Sequence, residues 1–275
     1  MSYKSMVVCL DNSTGSPRVL DFSLELASQY GAHLTGLHLT YDPIIMSDPY
    51  AVWAPMMLEW EESAEEKQNI AKEEFYSGAK KAGVNVDWAG YRSSDTASVV
   101  AHARANDLAI IAQRNADDIS NDSGNKLADL LALKLGRPVL YLPYIGKFST
   151  MFDKVIVAWD GGREAARAMS DALPFLCAAK QVTVLSISEK ADLDDDLPDI
   201  DIAGYLAKHD VKVDIERNQG VDIDPADWLL SRANELDADL LVMGAYGHNR
   251  MTEMVLGGVT LSILRHMTLP VLMSH

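Results

Sequence analysis

The chain has 275 residues, 48% apolar and 23% charged, with a formal net charge of −16. That length has room for two domains of ordinary size, and the acidic balance repels a nucleic-acid polymer while leaving open a single nucleotide held by local donors. The opening MSYKSMVVCLDNS has too short an apolar run for a secretory signal, there is no run of about 18 apolar residues, and the cysteines are only Cys9 and Cys177, so the expectation is a cytoplasmic chain with no membrane span and both cysteines in a core.

From the N-terminus, Met6–Leu10 (MVVCL) is a continuous apolar run that stops at Asp11-Asn12-Ser13, which predicts a strand buried on both faces. Pro17 to Tyr30 predicts a helix with Pro17 in its first turn. His33–Leu39 predicts a second strand, and Glu59 to Ala82 a long helix of interleaved charged and apolar positions. Before that helix lies the oddest segment, Tyr41 to Trp60, with three prolines, three methionines and two tryptophans. It reads either as an ordered loop over a sheet edge or as a contact patch for a partner or apolar ligand. A third strand at Val84–Trp88, an N-cap at Asp95, a fourth strand at Leu108–Ala112 and a fifth at Pro138–Leu142 complete the first half. The linker Tyr144 to Phe152 separates an expected domain 1–145 from a second at 151–275.

The second half repeats the order. Val155–Trp159 (VIVAW) stops at Asp160-Gly161-Gly162, and Arg163 to Ala179 predicts one helix. A strand at Gln181–Ile187 is followed by the acidic run Asp192, Asp194, Asp195 and Asp196, read as a solvated loop. Then come a helix from Asp199 to His209, a strand at Val211–Glu216, an N-cap at Asp224-Pro225, a strand at Leu240–Met243, a helix running through Leu261, Ile263 and Leu264, and a last strand at Pro270–Met273. Two rounds of strand–helix alternation indicate an α/β class with parallel sheets, in which ligands sit beyond the carboxyl ends of strands.

The halves share wording but not equipment. Asp107 to Asn115 reads DLAIIAQRN and Asp239 to Gly247 reads DLLVMGAYG. In that register Gly244, Gly247, Gly257 and Gly258 fall on Ala112, Asn115, Asn125 and Lys126. Gly244 and Gly247 are followed by nine residues, HNRMTEMVL, before Gly257-Gly258-Val259-Thr260. Glycines after a strand let a ligand approach main-chain N–H groups, and a helix starting at Gly257-Gly258 offers free amides to phosphate oxygens. Thr260 adds a hydroxyl. Asp160 suits a ribose hydroxyl or loop amides rather than phosphate. There is no GxxxxGK[ST] sequence and no GxGxxG after the first strand, so neither a P-loop nor an ordinary dinucleotide fold is supported.

G-x-x-G, nine residues, then G and a small residue resembles the ATP-binding signature of universal stress proteins. The acidic end of the first strand and the closing PVL strand fit too. The resemblance covers both halves, and implies two Rossmann-like domains, each with a five-stranded, mostly parallel sheet flanked by helices. Carried over by position, it implies that Gly244, Gly247, Gly257, Gly258, Val259 and Thr260 contact phosphate and ribose. Asp160 would be the acidic residue, with Met243 and Ile187 lining the adenine side. The ligand would be ATP, or ADP or AMP, with Mg²⁺ arriving only with the nucleotide. Tandem halves of this kind resemble a dimer folded within one chain, fifth strand to fifth strand, with room for a further homodimer.

Two departures bear on affinity. The family commonly has Ser or Thr where this chain has Gly258, and a hydrogen bond to a charged group contributes about 1.5–3 kcal/mol, or one to two orders of magnitude in affinity. Trp159, just before Asp160, either stacks on adenine or fills its space. In the first half non-glycine residues replace the loop glycines, so no ATP is expected there.

No G-x-S-x-G elbow, metal-spaced cluster or convincing general base is evident. His248 and Arg250 near the loop read as surface residues or phosphate contacts. The leading expectation is a tandem universal stress protein that binds one ATP-type nucleotide in its C-terminal half as a regulatory ligand, with at most slow hydrolysis. The alternative is a nucleotide-free interaction or small-ligand protein that uses segment 41–60.

Overall fold

In a computed structural model of the chain, residues 2–11, 13–40, 53–92, 95–113, 133–187, 202–218, 224–246 and 258–275 are described, without the side chains of residues 53–57, 96, 187 and 218. The described chain forms two compact units, Tyr3–Leu131 and Ala132–His275 with Met1–Ser2.

In the first unit the apolar run becomes β1 (Ser5–Leu10), parallel to β2 (His33–Thr40) on one side and β4 (Leu108–Ala112) on the other, and β2 is parallel to β3 (Val86–Arg92). Met6, Val7 and Val8 are fully buried, as a central strand covered on both faces requires. β3, paired among the described residues on its β2 side alone, mostly alternates between half-buried and exposed residues. The helices are α1 (Ser16–Tyr30), α2 (Trp53–Ala82) and α3 (Thr96–Arg104). Pro17 lies in the first turn of α1, where its missing N–H leaves no helical bond unmade. Asp95 caps α3 by accepting from the Ser98 N–H at 3.2 Å.

In the second unit the strand order is β5-β10-β9-β6-β7-β8. β6 (Lys154–Trp159) runs parallel to β7 (Gln181–Ile187) and β9 (Leu240–Gly244), β7 parallel to β8 (Val213–Asn218), and β9 parallel to β10 (Val271–Ser274). β5 (Val139–Leu142) is the exception. It pairs antiparallel with β10, with Leu140 opposite Leu272, so the strand expected as the fifth of the first repeat lies in the sheet of the second unit. Tyr141, Leu140, Val271 and Leu272 are fully buried there. The helices are α4 (Arg163–Asp171), α5 (Leu173–Leu176), α6 (Ile202–Ala207), α7 (Pro225–Glu235) and α8 (Gly258–His266).

The same clasp closes each unit. The Asp107 carboxylate accepts from the Lys4 and Ser5 N–H groups at 2.8 and 3.0 Å. The Asp239 carboxylate accepts from Asp153 and Lys154 at 2.9 and 2.8 Å. The Asp107 and Asp239 N–H groups in turn donate to the Ser5 and Lys154 carbonyls. The repeated Asp therefore sets the start of the first strand against the start of the fourth.

Four expectations need correction. The helix expected from Arg163 to Ala179 is two, α4 and α5, because Pro174 lacks an N–H and its ring crowds the carbonyl of the preceding turn. α2 begins at Trp53, so the part of segment 41–60 from Trp53 onward is helical rather than loop; residues 41–52 lie outside the described residues. β3 and β8 each begin and end later than expected. Cys9 is buried as expected, but Cys177, at the C-terminal end of α5, is exposed, with its thiol 3.5 Å from the His209 carbonyl.

Candidate functional site

β6 and β9 are neighbours, so the residues beyond their carboxyl ends share one end of the second unit's sheet. Asp160 follows β6 directly and is exposed. Its Oδ1 accepts from the Gly162 N–H at 2.8 Å, which bends the chain back into α4. Gly161, between them, has a φ of +79°, a conformation that a side chain would oppose. The acidic strand end and the two glycines thus form one tight turn.

β9 ends at Gly244, where the absence of a side chain has a packing reason. A Cβ there would lie 2.6 Å from the Ala165 N, 2.7 Å from the Glu164 C and 2.8 Å from the Glu164 Cβ. The first turn of α4 therefore rests on the end of β9. The first unit solves the same contact the other way round: Ala112 ends β4, and the residue facing it is Gly15, whose added Cβ would sit 3.6 Å from the Ala112 Cβ.

Beyond Gly244 the chain is held from two sides. The Ala245 N–H donates to the Ser274 carbonyl at 2.8 Å, and the Ala245 carbonyl lies 2.9 Å from the His275 Nδ1. Tyr246 takes a φ of +60°, unusual for a residue with a side chain. Its N–H donates to the Thr260 Oγ1 at 3.1 Å. Thr260 is buried in the first turn of α8, Val259 is half-buried, and Gly258, the first residue of that helix, is exposed with nothing within 4 Å of where its Cβ would be.

Glu164 is a carboxylate only 8% exposed at this end of the sheet. Burial opposes its charge. The hydrogen bond from Arg163, its own backbone N–H, and the charges of Arg163 and His275 together outweigh that, and hold its carboxyl below the usual range.

Met243 is buried on β9, and Trp159 is 8% exposed on β6, opposite Ser186 of β7. Trp159 is thus a packed residue. Ile187 ends β7, with its side chain outside the described residues; Gly247 and Gly257 lie outside them altogether. So do His248, Arg250, the acidic run 192–196, Asn115, Asn125 and Lys126. Among the expected residues that are described, Met243 and Gly244 stand on one chain end, Asp160 on the neighbouring one, and Thr260 is tied to the first of these through Tyr246.

The corresponding corner of the first unit is arranged differently. The Asp11 Oδ1 accepts from the Ser13 N–H at 2.9 Å and from the Ser16 hydroxyl at 2.8 Å, while the Asp11 N–H donates back to that hydroxyl at 2.9 Å. His38, in the second half of β2, is fully buried and stacks on Trp88 with ring centroids 5.8 Å apart. Burial lowers its pKa, and the Asp11 charge opposes that shift.

Sequence reasoning missed Glu164, Tyr246 and His275. Glu164 reads as an ordinary charge in the first turn of a helix, and nothing in the local pattern announces a positive φ at a tyrosine. Among the described residues, no cluster of three or more His, Cys, Asp or Glu could hold a metal ion, and no helix is long and apolar enough to cross a membrane.

The model of the family described as "Universal stress protein family" matches residues 2–121 and again 151–275. No curated protein matches the chain. Among solved structures, a universal stress protein from Archaeoglobus fulgidus DSM 4304 is similar with a TM-score of 0.74 and 18% identity, over 98% of this chain and 95% of that one. A protein described as a putative universal stress protein, from Pseudomonas aeruginosa UCBPP-PA14, is similar with a TM-score of 0.56 and 16% identity, over 99% and 93% of the two chains.

Proposed function

We propose, from the premise that this chain belongs to the universal stress protein family and carries its domain twice, that the C-terminal half binds one ATP-type nucleotide as a regulatory ligand and the N-terminal half binds none. The observation that carries this reading is the contrast between the two corners. In the second unit Asp160 is exposed and Gly258 opens α8 with no atom near its Cβ direction. In the first unit the corresponding Asp11 is half-buried rather than exposed, and its Oδ1 accepts from both the Ser13 N–H and the Ser16 hydroxyl.

The residues fit a nucleotide at these points. The start of α8, where Gly258 is exposed, can present main-chain N–H groups to phosphate oxygens. Asp160, one of whose oxygens accepts from Gly162, can accept from a ribose hydroxyl. Val259, Gly247 and Gly257 complete the phosphate side on sequence grounds, and Met243 and Ile187 the adenine side. Gly244 is needed for the packing of α4 whatever is bound. Bound nucleotide would bring Mg²⁺ with it. On this reading hydrolysis is slow at most, since the sequence offers no convincing general base, and the working compartment is the cytoplasm, in keeping with two unpaired cysteines.

Calorimetry of the full chain with ATP, ADP and AMP in the presence of Mg²⁺ tests this. The expected result is one site per chain, with affinity lowered roughly ten- to hundredfold in Asp160→Ala and abolished in Gly247→Val. Unchanged binding in both variants would remove this corner from the site. The second reading, a nucleotide-free interaction protein, is favoured by one observation: Leu58, in segment 41–60, is 62% exposed on α2. No heat with any of the three nucleotides would support it.

A further inference from the structure

Tyr246 and Thr260 are separated by fourteen positions in sequence and joined by one hydrogen bond. One stands just beyond β9, which ends at Gly244, and the other in the first turn of α8, so residues 246 and 260 meet at one point. The bond is made at the one described position in this region where a side-chain-bearing residue adopts a positive φ. Left-handed backbone at a tyrosine is disfavoured and persists only where its surroundings hold it. The contacts that do so include the Tyr246 ring edge-on to His275, with centroids 6.4 Å apart, and three hydrogen-bonding contacts. Ala245 is fixed on its N–H side by the Ser274 carbonyl, on its carbonyl side by the His275 ring, and the Tyr246 N–H is taken up by the buried Thr260 hydroxyl. Of these, only the Thr260 bond reaches across to α8.

We infer that Thr260 is a positioning residue: its Oγ1 accepts the Tyr246 N–H and so sets the start of α8 against the end of β9, rather than serving as a phosphate contact. This rests on the proposed nucleotide site for its effect on binding, but the clasp itself is a property of the ligand-free chain. The strain at Tyr246 makes the bond consequential. In Tyr246→Gly the turn would form unaided, and the clasp would matter less. A phosphate contact made by Thr260 would not depend on residue 246 in this way.

The test compares Thr260→Val, which keeps the shape and removes the acceptor, with Thr260→Ser, which keeps the acceptor, each alone and with Tyr246→Gly, in the full chain. Amide hydrogen exchange without nucleotide reads the clasp directly. The Tyr246 N–H is expected to exchange about tenfold faster or more in Thr260→Val, and at the wild-type rate in Thr260→Ser. Calorimetry with Mg²⁺ and ATP is expected to show weaker binding in Thr260→Val, restored in Thr260→Ser, with a clearly smaller loss when Tyr246→Gly is also present. Two results would overturn the inference: an unchanged Tyr246 exchange rate in Thr260→Val, or a fold-loss of affinity on Thr260→Val that is the same with and without Tyr246→Gly. If the wild-type chain takes up no nucleotide, the proposed function fails, and the exchange rate at Tyr246 alone decides the clasp.

Discussion

Gly244 and Glu164 are in contact at the level of the main chain: a Cβ on Gly244 would lie 2.7 Å from the Glu164 carbonyl carbon and 2.8 Å from its Cβ. Both distances are shorter than folded proteins tolerate, so Gly244→Ala must push α4 away from β9. The expected loss is about 1–3 kcal/mol, as for other overpacking changes, measured as a lower urea midpoint. Adding Glu164→Gly, which recreates the Gly15–Ala112 arrangement of the first unit, removes the Cβ contact but not the backbone ones. It should recover only part of the loss.

The Asp107 and Asp239 clasps give a second expectation. Each carboxylate accepts two main-chain N–H groups at the start of its neighbouring strand. Hydrogen bonds to a charged group contribute about 1.5–3 kcal/mol. Asp239→Ala should destabilise the second unit by about that amount, and Asp239→Asn, which keeps one oxygen but loses the charge, by less. Equal loss in Ala and Asn variants would show that the charge contributes nothing.

His38 predicts a pH dependence of the first unit. It is fully buried, and burial lowers its pKa below the ordinary value, so the unfolded chain takes up a proton more readily than the folded one. Stability from this group is complete above about pH 6.5, the unfolded value. It is lost as pH falls from there through the depressed folded value. The facing groups are Asp11, whose charge works against the shift, and the Trp88 ring. Urea midpoints at pH 7.5 and 5.5 should fall more steeply in wild type than in His38→Leu. Parallel slopes would contradict this.

The two cysteines should differ in reactivity. Cys9 is buried and its thiol is pushed up to about 12, by burial first and by the Asp11 charge second, so it presents almost no thiolate at neutral pH. Cys177 is exposed. A disulfide reagent at pH 8 should titrate one thiol per chain rapidly in the native protein and two in denaturant. Cys177→Ser should abolish the rapid phase.

Much of this architecture was legible in the chain. MVVCL and VIVAW announced central strands because both faces are covered and the apolar run is unbroken, and β1 and β6 are buried along nearly their whole length. Asp95 and Asp224 announced helix starts because a short carboxylate there meets free N–H groups, and both do so. The α4–α5 break has its cause in Pro174, inside the stretch expected as one helix. The burial of Glu164 and the exposure of Cys177 were not legible, since neither depends on local pattern.

Periodicity, apolar runs and the repeated Asp-Leu strand phrase were enough to determine the α/β class, the doubling of the domain, and which half has the loop glycines. Tertiary structure alone decided how the polar groups are used: that Gly244 yields space to α4, that Thr260 commits its oxygen to Tyr246, and that β5 lies antiparallel to β10. Each joins segments distant in sequence, and its geometry follows from strand register and helix seating, which are settled only when the whole sheet packs.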